Sequence, residues 1–398
     1  GMNDGIVASP GYRPLRLGAI GTGLAMDRLH WPAISRLPGH VQVVAFAEPD
    51  DRAAGRFLAQ SGLGPSARYS NYHELLARTD LDAVVVLLPI DMLLEAARAS
   101  LQAGLHVFCE KPPGGDLSAA AEFLSLEERH RGRILFVAEN FLYRDDLRLA
   151  RAEIDSGRLG RIHSIAWRIT GQYVPRDGTF SSTPWRHRPS YRGGTHLDGG
   201  IHMMAAMRLL LGDPARVHGL VQHANSKMGG PSTFFLHMTF MSGAVGSYAA
   251  IHPEIVIPPD DASLRIYGDD GTMVLTPAYL QQRRGFTIYP SVGPAEEVRA
   301  SRHGGAVLDG GYLNEWIDFA DAVRTGSAYV GTVSQSVMNM VPIIRGLDSA
   351  EAGGVNVDLA PSCPAAPSSP SVPLWQPVRN EHLTFGLDVE VTRRAIDA

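Results

Sequence analysis

Cysteine is almost missing from this chain: Cys109 and Cys363 are its only two among 398 residues. Two cysteines cannot build a disulfide framework or a thiolate metal cluster. Their scarcity fits a reducing compartment, so a cytoplasmic location is expected. Long apolar runs are also missing. The longest, Ala83–Pro89, falls far short of the roughly 20 residues that cross a bilayer. The start, Gly1-Met2-Asn3-Asp4-Gly5, has neither the basic nor the apolar stretch of a secretory signal, and Gly1 before Met2 reads as an expression remnant. There is no basic excess: 36 Lys and Arg stand against 41 Asp and Glu, a net charge of −5. That balance lacks the electrostatic footprint of a nucleic-acid binder. Neither nucleic acid nor membrane is an expected partner.

What remains is ordinary globular material. Apolar residues make up 44% and charged residues 19%, which excludes a wholly disordered chain. The 42 glycines and 27 prolines point to many turns on an ordered fold. At roughly 150 residues per domain, the length suggests two or three domains.

The first 140 or so residues alternate between two patterns. Leu15–Ile20, Val41–Ala47, Ala83–Leu88, His106–Cys109 and Ile134–Ala138 are near-continuous apolar runs, as parallel strands buried on both faces require. Between them, Met92–Ala103 places Leu94, Ala97 and Leu101 on one helical face. Leu117–Arg131 does the same with Leu117, Ala121 and Leu124. This alternation predicts a doubly wound parallel sheet. After residue 142 or so the period changes. Leu147, Ala150 and Ile154 mark a helix. Then Ile165, Trp167 and Ile169, and later Phe234, Leu236, Met238 and Phe240, alternate with period two. With the turn signal Gly268-Asp269-Asp270-Gly271, this predicts a mostly antiparallel sheet with one apolar face. Helices return at Tyr312–Thr325 and Ser334–Ala350. The expected fold class is α/β followed by α+β, divided into domains at 1–141 and 142–359. Residues 360–398 form a tail with six prolines between Pro361 and Pro377, extended and packed over a surface through Leu374 and Trp375.

Gly21-Thr22-Gly23 follows the first strand directly, and Leu24–Leu37 reads as a helix. Such a corner offers a diphosphate a close backbone approach and a helix N-terminus. Met26 stands where a third Gly or Ala is usual. Glu48 ends the second strand, 25 residues after Gly23. Its carboxylate could accept a ribose diol and would repel a 2′-phosphate, which favours NAD, while nearby Arg52 leaves NADP open. A glycine turn without any nucleotide is the alternative.

Three further groups carry chemistry. Glu110-Lys111-Pro112-Pro113 follows the fourth strand, where ligands of open α/β sheets bind. Lys111 could hydrogen-bond a substrate oxygen or move a proton; it could equally be a surface lysine paired with Glu110. In Asp198-Gly199-Gly200-Ile201-His202, a helix beginning near Asp198 would put Asp198 and His202 on one face. The pair could then act as an oriented general base, or merely as a helix cap and a helix-end histidine. His196, Asp198 and His202 could alternatively ligate a metal, although no metal is expected beside a nucleotide cradle. The loop 172–196 carries Arg176, Arg186, Arg188 and Arg192 against one acid, Asp177, with Tyr173, Trp185, His187 and Tyr191. It could line a polar or anionic substrate, or be a solvated loop. Cys109 reads as a buried strand residue, not a nucleophile.

Taken in order, Leu17–Gly23, Leu81–Pro89, Ala103–Pro112, Gly157–Ile162, Trp185-Arg186 and Gly193–His202 resemble the Gfo/Idh/MocA oxidoreductases, over about Leu15 to Leu359. The resemblance implies an N-terminal Rossmann domain, a C-terminal domain with a large open sheet, NAD or NADP, and a sugar or cyclitol substrate. It implies a homodimer or homotetramer formed through that sheet. It implies that Lys111, Asp198 and His202 are the catalytic residues, with His202 or Lys111 as the base. It implies that Glu110, the backbone at Leu88 and Pro89, Asn140, Trp185 and Arg186 lie along the cofactor with Gly21, Thr22, Gly23, Leu24 and Glu48. Tyr173, Arg186 and His187 are expected to join Lys111, Asp198 and His202 at the substrate. Ile90 and Leu93 replace an Asn and a His usual in the family. The expected activity is hydride transfer between a nicotinamide and a secondary alcohol of a sugar or polyol. A glycosidase with transient oxidation, a non-catalytic sensor and a metal-dependent hydrolase are the alternatives.

Overall fold

The computed structural model describes residues 11–258, 261–275, 285–302, 310–364, 374 and 389–397. The chain forms two compact units.

The first takes in the residues up to Glu139 and then Tyr312–Ser336. Strands β1 (Leu15–Ile20), β2 (Val41–Ala47), β3 (Arg68–Tyr69), β4 (Ala83–Val86), β5 (His106–Cys109) and β6 (Leu135–Val137) form one parallel sheet of order β3-β2-β1-β4-β5-β6. This order reverses beside β1, which is where such sheets bind ligands. The apolar runs became strands because both faces are covered: Ala83–Val86 is wholly buried. The first helical segment is not regular. A π-helical turn at Met26–His30 precedes α1 (Trp31–Ile34). Helices α2 (Asp51–Ser61), α3 (Tyr72–Leu76), α4 (Ile90–Gln102) and α5 (Leu117–Arg129) follow. Asp50 and Asp116 cap α2 and α5 by accepting from Ala53 N–H and Ala119 N–H. In α4 the expected Ala97 and Leu101 are buried but Leu94 is not, and in α5 the buried stripe is shifted from the one expected. Leu93, Ala96, Ala97 and Leu101 are buried in α4, and Ala120, Phe123 and Leu126 in α5. Periodicity gives a face only to within about one residue when several apolar positions compete.

The second unit takes in Asn140–Gly311, Val337–Ala365 and the C-terminal strand. Its helices are α6 (Asp145–Asp155), two single turns α7 (Pro184–His187) and α8 (Thr195–Asp198), and α9 (Gly200–Leu211). Its sheet begins with β7 (Ile162–Thr170), β8 (Pro214–Gln222), β9 (Thr233–Phe240), β10 (Val245–Ile251), β11 (Ser263–Gly268) and β12 (Gly271–Leu275). β13 (Gly285–Pro290) and β14 (Ala295–Arg302) extend it. Helix α10 (Tyr312–Thr325) then returns to the first unit, where Trp316 stacks on Phe108 at 3.9 Å. Helix α11 (Val333–Glu351), β15 (Val357–Asp358) and β16 (Val389–Ile396) follow.

The second sheet runs β15-β8-β9-β10-β7-β11-β12-β13-β14-β16. It is antiparallel except where β10 runs parallel to β7. Its register aligns Gly219, Leu236, Tyr248 and Trp167 in one row, on the face where Leu236, Tyr248 and Trp167 are buried. Most of the Pro-rich tail, Trp375 included, lies outside the described residues. The expectation of an extended tail is corrected in its last part: β16 pairs antiparallel along β14 from Ala295↔Ile396 to Arg302↔Val389.

Candidate active site

In the first unit, β1 ends in a turn that only glycine can make. Gly21 has φ +90°, and a Cβ there would lie 2.4 Å from Leu87 O. A Cβ on Gly23 would meet nothing within 4 Å. The turn thus leaves open space over Gly23, as a dinucleotide diphosphate requires. Glu48 sits on this turn, almost fully buried. Its Oε2 accepts Thr22 N–H at 2.8 Å and its Oε1 accepts Asp50 N–H at 3.0 Å. An ionised carboxylate has about four lone-pair sites, so Glu48 can hold the turn and still accept a ribose hydroxyl. Arg68 supports the same corner, donating through Nε and Nη2 to Glu48 O and pairing with Asp51. These residues fit a bound NAD.

Leu88 and Pro89 lead into α4, with Pro89 at its N-cap. At the end of β5, Glu110 Oε1 is 2.6 Å from His30 Nε2, and Oε2 accepts Lys111 N–H at 3.1 Å. The Lys111–Pro112 peptide is cis. Lys111 is partly exposed. It is one of only two lysines, with Lys227, among 36 cationic side chains. A chain that uses arginine nearly everywhere carries, at 111, an amine in place of a guanidinium. Cys109 is fully buried, and burial pushes its thiol above the ordinary range, which removes it as a nucleophile.

In the second unit, the helix expected near Asp198 begins at Thr195 and is interrupted at Gly199. Gly199 keeps helical angles, φ −90° and ψ −40°, so Asp198 and His202 remain one turn apart. Asp198 Oδ2 accepts Arg186 Nε–H at 3.0 Å. The Arg186 guanidinium lies 3.9 Å from the Trp185 ring centroid and 5.0 Å from that of Phe180. Tyr173 is close to Thr195, Asp198 and Arg186, and burial raises its phenol above the usual value. The His202 ring stacks on Phe141 at 4.8 Å. His187 Nδ1 is buried with no hydrogen-bond partner among the described residues. Asn140 is buried, and its Nδ2 donates to Gly310 O, tying two backbone segments of this unit.

Two of the alternatives narrow here. The possible metal set disperses. His196 Nε2 donates to Pro231 O and its ring faces Phe234 and His252, whereas Asp198 turns to Arg186 and His202 to Phe141. Among the described residues no group of three His, Cys, Asp or Glu could hold a metal. Two of the four arginines of the loop are paired with acids. Arg186 is matched by Asp198, and Arg192 by Asp348 and Glu351. Sequence reasoning missed His30, Phe141, Phe180 and Thr195, which carry no motif and acquire meaning only from what they face.

Residues 15–139 match a family model described as an oxidoreductase family with an NAD-binding Rossmann fold, and residues 147–274 match the GFO/IDH/MocA C-terminal domain. The chain belongs to the Gfo/Idh/MocA oxidoreductase family. This family member is 29% identical over 272 residues to a dTDP-3,4-didehydro-2,6-dideoxy-alpha-D-glucose 3-reductase of Streptomyces violaceoruber, covering 67% of this chain and 74% of the relative. It is 28% identical over 324 residues to D-xylose 1-dehydrogenase (NADP(+)) 2 of Haloferax volcanii, covering 78% and 90%. The crystal structure of an oxidoreductase from Thermotoga maritima superposes with a TM-score of 0.77 at 26% identity, covering 88% of this chain and 100% of the other. The first unit is the family's NAD-binding Rossmann domain, and the chain is an oxidoreductase. Among the described residues, no helix is long and apolar enough to cross a membrane.

Proposed function

We propose that this chain transfers a hydride between NAD and a secondary alcohol of a sugar, cyclitol or related polyol. The observation that carries the reading is the open glycine turn clamped by Glu48. The sugar reductase and sugar dehydrogenase among its relatives support the substrate class. NAD is favoured over NADP because the buried Glu48 charge would face a 2′-phosphate.

When bound, the dinucleotide supplies the hydride acceptor or donor. The remaining work falls to side chains. His202, its ring plane set by Phe141, takes the hydroxyl proton. To Asp198, held by Arg186 one helical turn before His202, falls the orientation of that imidazole. Lys111 polarises the substrate oxygen, or acts as the base in its place. Tyr173, Arg186 and His187 bind substrate hydroxyls. Trp185, Asn140, Leu88, Pro89, Leu24 and Glu110 serve the cofactor. Two copies pair through the open face of the ten-stranded sheet. Incubating the protein with NAD or NADP and a panel of aldoses, cyclitols and nucleotide sugars, and following reduced nicotinamide, tests the reading. Dinucleotide binding without turnover on any of them would refute it.

A further inference from the structure

In the first unit, Glu110 ends a hydrogen-bonded chain whose other members, His30 and Trp316, are wholly buried and have no part in the reaction above. His30 closes the π turn and is wholly buried. The rings of Phe108, Tyr312 and Trp316 stand edge-on around it, with centroids 5.5, 5.6 and 6.0 Å away. Trp316 Nε1–H donates to His30 Nδ1 at 3.1 Å. An indole nitrogen can only donate, so Nδ1 is the acceptor and the ring proton sits on Nε2. Nε2–H therefore donates to Glu110 Oε1 at 2.6 Å, and Glu110 Oε2 accepts the backbone N–H of Lys111. We propose that Trp316, His30 and Glu110 form a positioning chain that sets the backbone of Lys111. The proposal rests on the reading of Lys111 as the lysine that meets the substrate.

Three features show how the chain is held. Trp316 is stacked on Phe108 with the ring planes 4° apart, which fixes the direction of its N–H. Phe108 lies on β5, two residues before Glu110, so the same strand carries both the platform and the end of the chain. His30 reaches this place through a π turn, in which Trp31 N–H bonds back to Met26 O instead of to the residue one closer. The wider turn shifts the helix register by one residue, and such turns concentrate at functional sites. Two rigid elements from opposite ends of the sequence thus converge on one side chain, which passes the constraint to a carboxylate at the carboxyl end of the sheet. Without His30, the carboxylate of Glu110 loses the donor that fixes its rotamer, and the amide of Lys111 loses a fixed acceptor. A displacement of the lysine by about 1 Å is enough to slow a positioned reaction by up to roughly 100-fold.

The scarcity of lysine makes the test clean. Lys111 and Lys227 are the only side-chain amines, so limited acylation with acetic anhydride and peptide mass spectrometry gives the Lys111:Lys227 labelling ratio directly. The variants are H30L, which removes both hydrogen bonds, H30Q, whose carboxamide offers one acceptor and one donor, and W316F, which keeps the stack and loses the N–H. The ratio is expected to rise severalfold in H30L, less in W316F, and to return toward wild type in H30Q. Turnover should follow the same order, with kcat falling roughly 10-fold or more in H30L. An unchanged ratio in W316F and H30L would overturn the proposal. If H30L fails to fold, W316F against H30Q decides it. A ratio that shifts as expected while no variant, wild type included, turns over any alcohol would sustain the positioning chain and defeat the dehydrogenase reading instead.

Discussion

Gly21 and Gly23 stand two positions apart and answer to different demands. Gly21 is required by the fold, since its φ of +90° and the 2.4 Å approach to Leu87 O exclude a side chain. Gly21→Ala should lower stability by about 1–3 kcal/mol, read by urea denaturation. At Gly23 a Cβ would touch no neighbour. Gly23→Ala should therefore leave the melting temperature nearly unchanged while weakening dinucleotide binding by about tenfold or more, measured by calorimetry. Equal binding in the variant would remove the diphosphate from this turn. At the reacting end, His202→Ala and Lys111→Ala should each cut turnover by roughly 100-fold with dinucleotide affinity retained. Wild-type rates in both would reject these roles. The glycines, Glu48, Lys111, Asp198 and His202 could all be singled out in the sequence as candidates, because each stands at a characteristic spacing from a strand or a neighbouring motif residue. His30 was not, because its partners Glu110 and Trp316 lie 80 and 286 positions away.

Whole elements respond to acid through the buried His196 and the half-buried His106. Burial lowers His196, on α8, to about 3, with His252 adding to the effect. Burial lowers His106, which opens β5, to about 4, with Arg133 adding to it. His106 Nδ1 accepts Ile134 N–H at 2.9 Å and holds the approach to β6. Both rings stay neutral in the fold while the unfolded chain binds protons near the ordinary value of about 6.5. Unfolding then takes up protons, so stability falls as the pH drops from about 6.5 toward 4 for His106 and toward 3 for His196. Urea midpoints measured across this range should fall with pH, and His196→Leu should flatten the slope. A slope unaltered by the substitution would show that His196 does not titrate on unfolding. The strands of the first unit were legible because double burial leaves continuous apolar runs. The π turn was not, since an inserted residue inside a helix leaves the composition unchanged. Nor was β16, whose sequence Val-Glu-Val-Thr-Arg-Arg-Ala-Ile breaks the period of two with Arg393 between Val391 and Ala395 and stays largely exposed.

For the molecule as a whole, the open face of the large sheet invites a partner. Leu220, Phe235 and Ala249 align across β8, β9 and β10, and Leu220 and Val245 on this face are about half exposed. Light scattering should give a dimer or larger assembly, and Leu220→Asp should shift it toward monomer. A monomeric wild type would leave that face without this role. The chain alone determined that there would be a doubly wound parallel sheet followed by a mostly antiparallel one, because strand and helix periods follow from which side chains must leave water. It also marked the phosphate turn, since backbone conformation there depends on glycine. It could not show that α10 returns to the first sheet, that Trp316 sets the proton on His30, or that Arg186 neutralises Asp198. Those facts depend on packing between segments far apart in sequence, where direction and burial decide the partner and no local pattern records the choice.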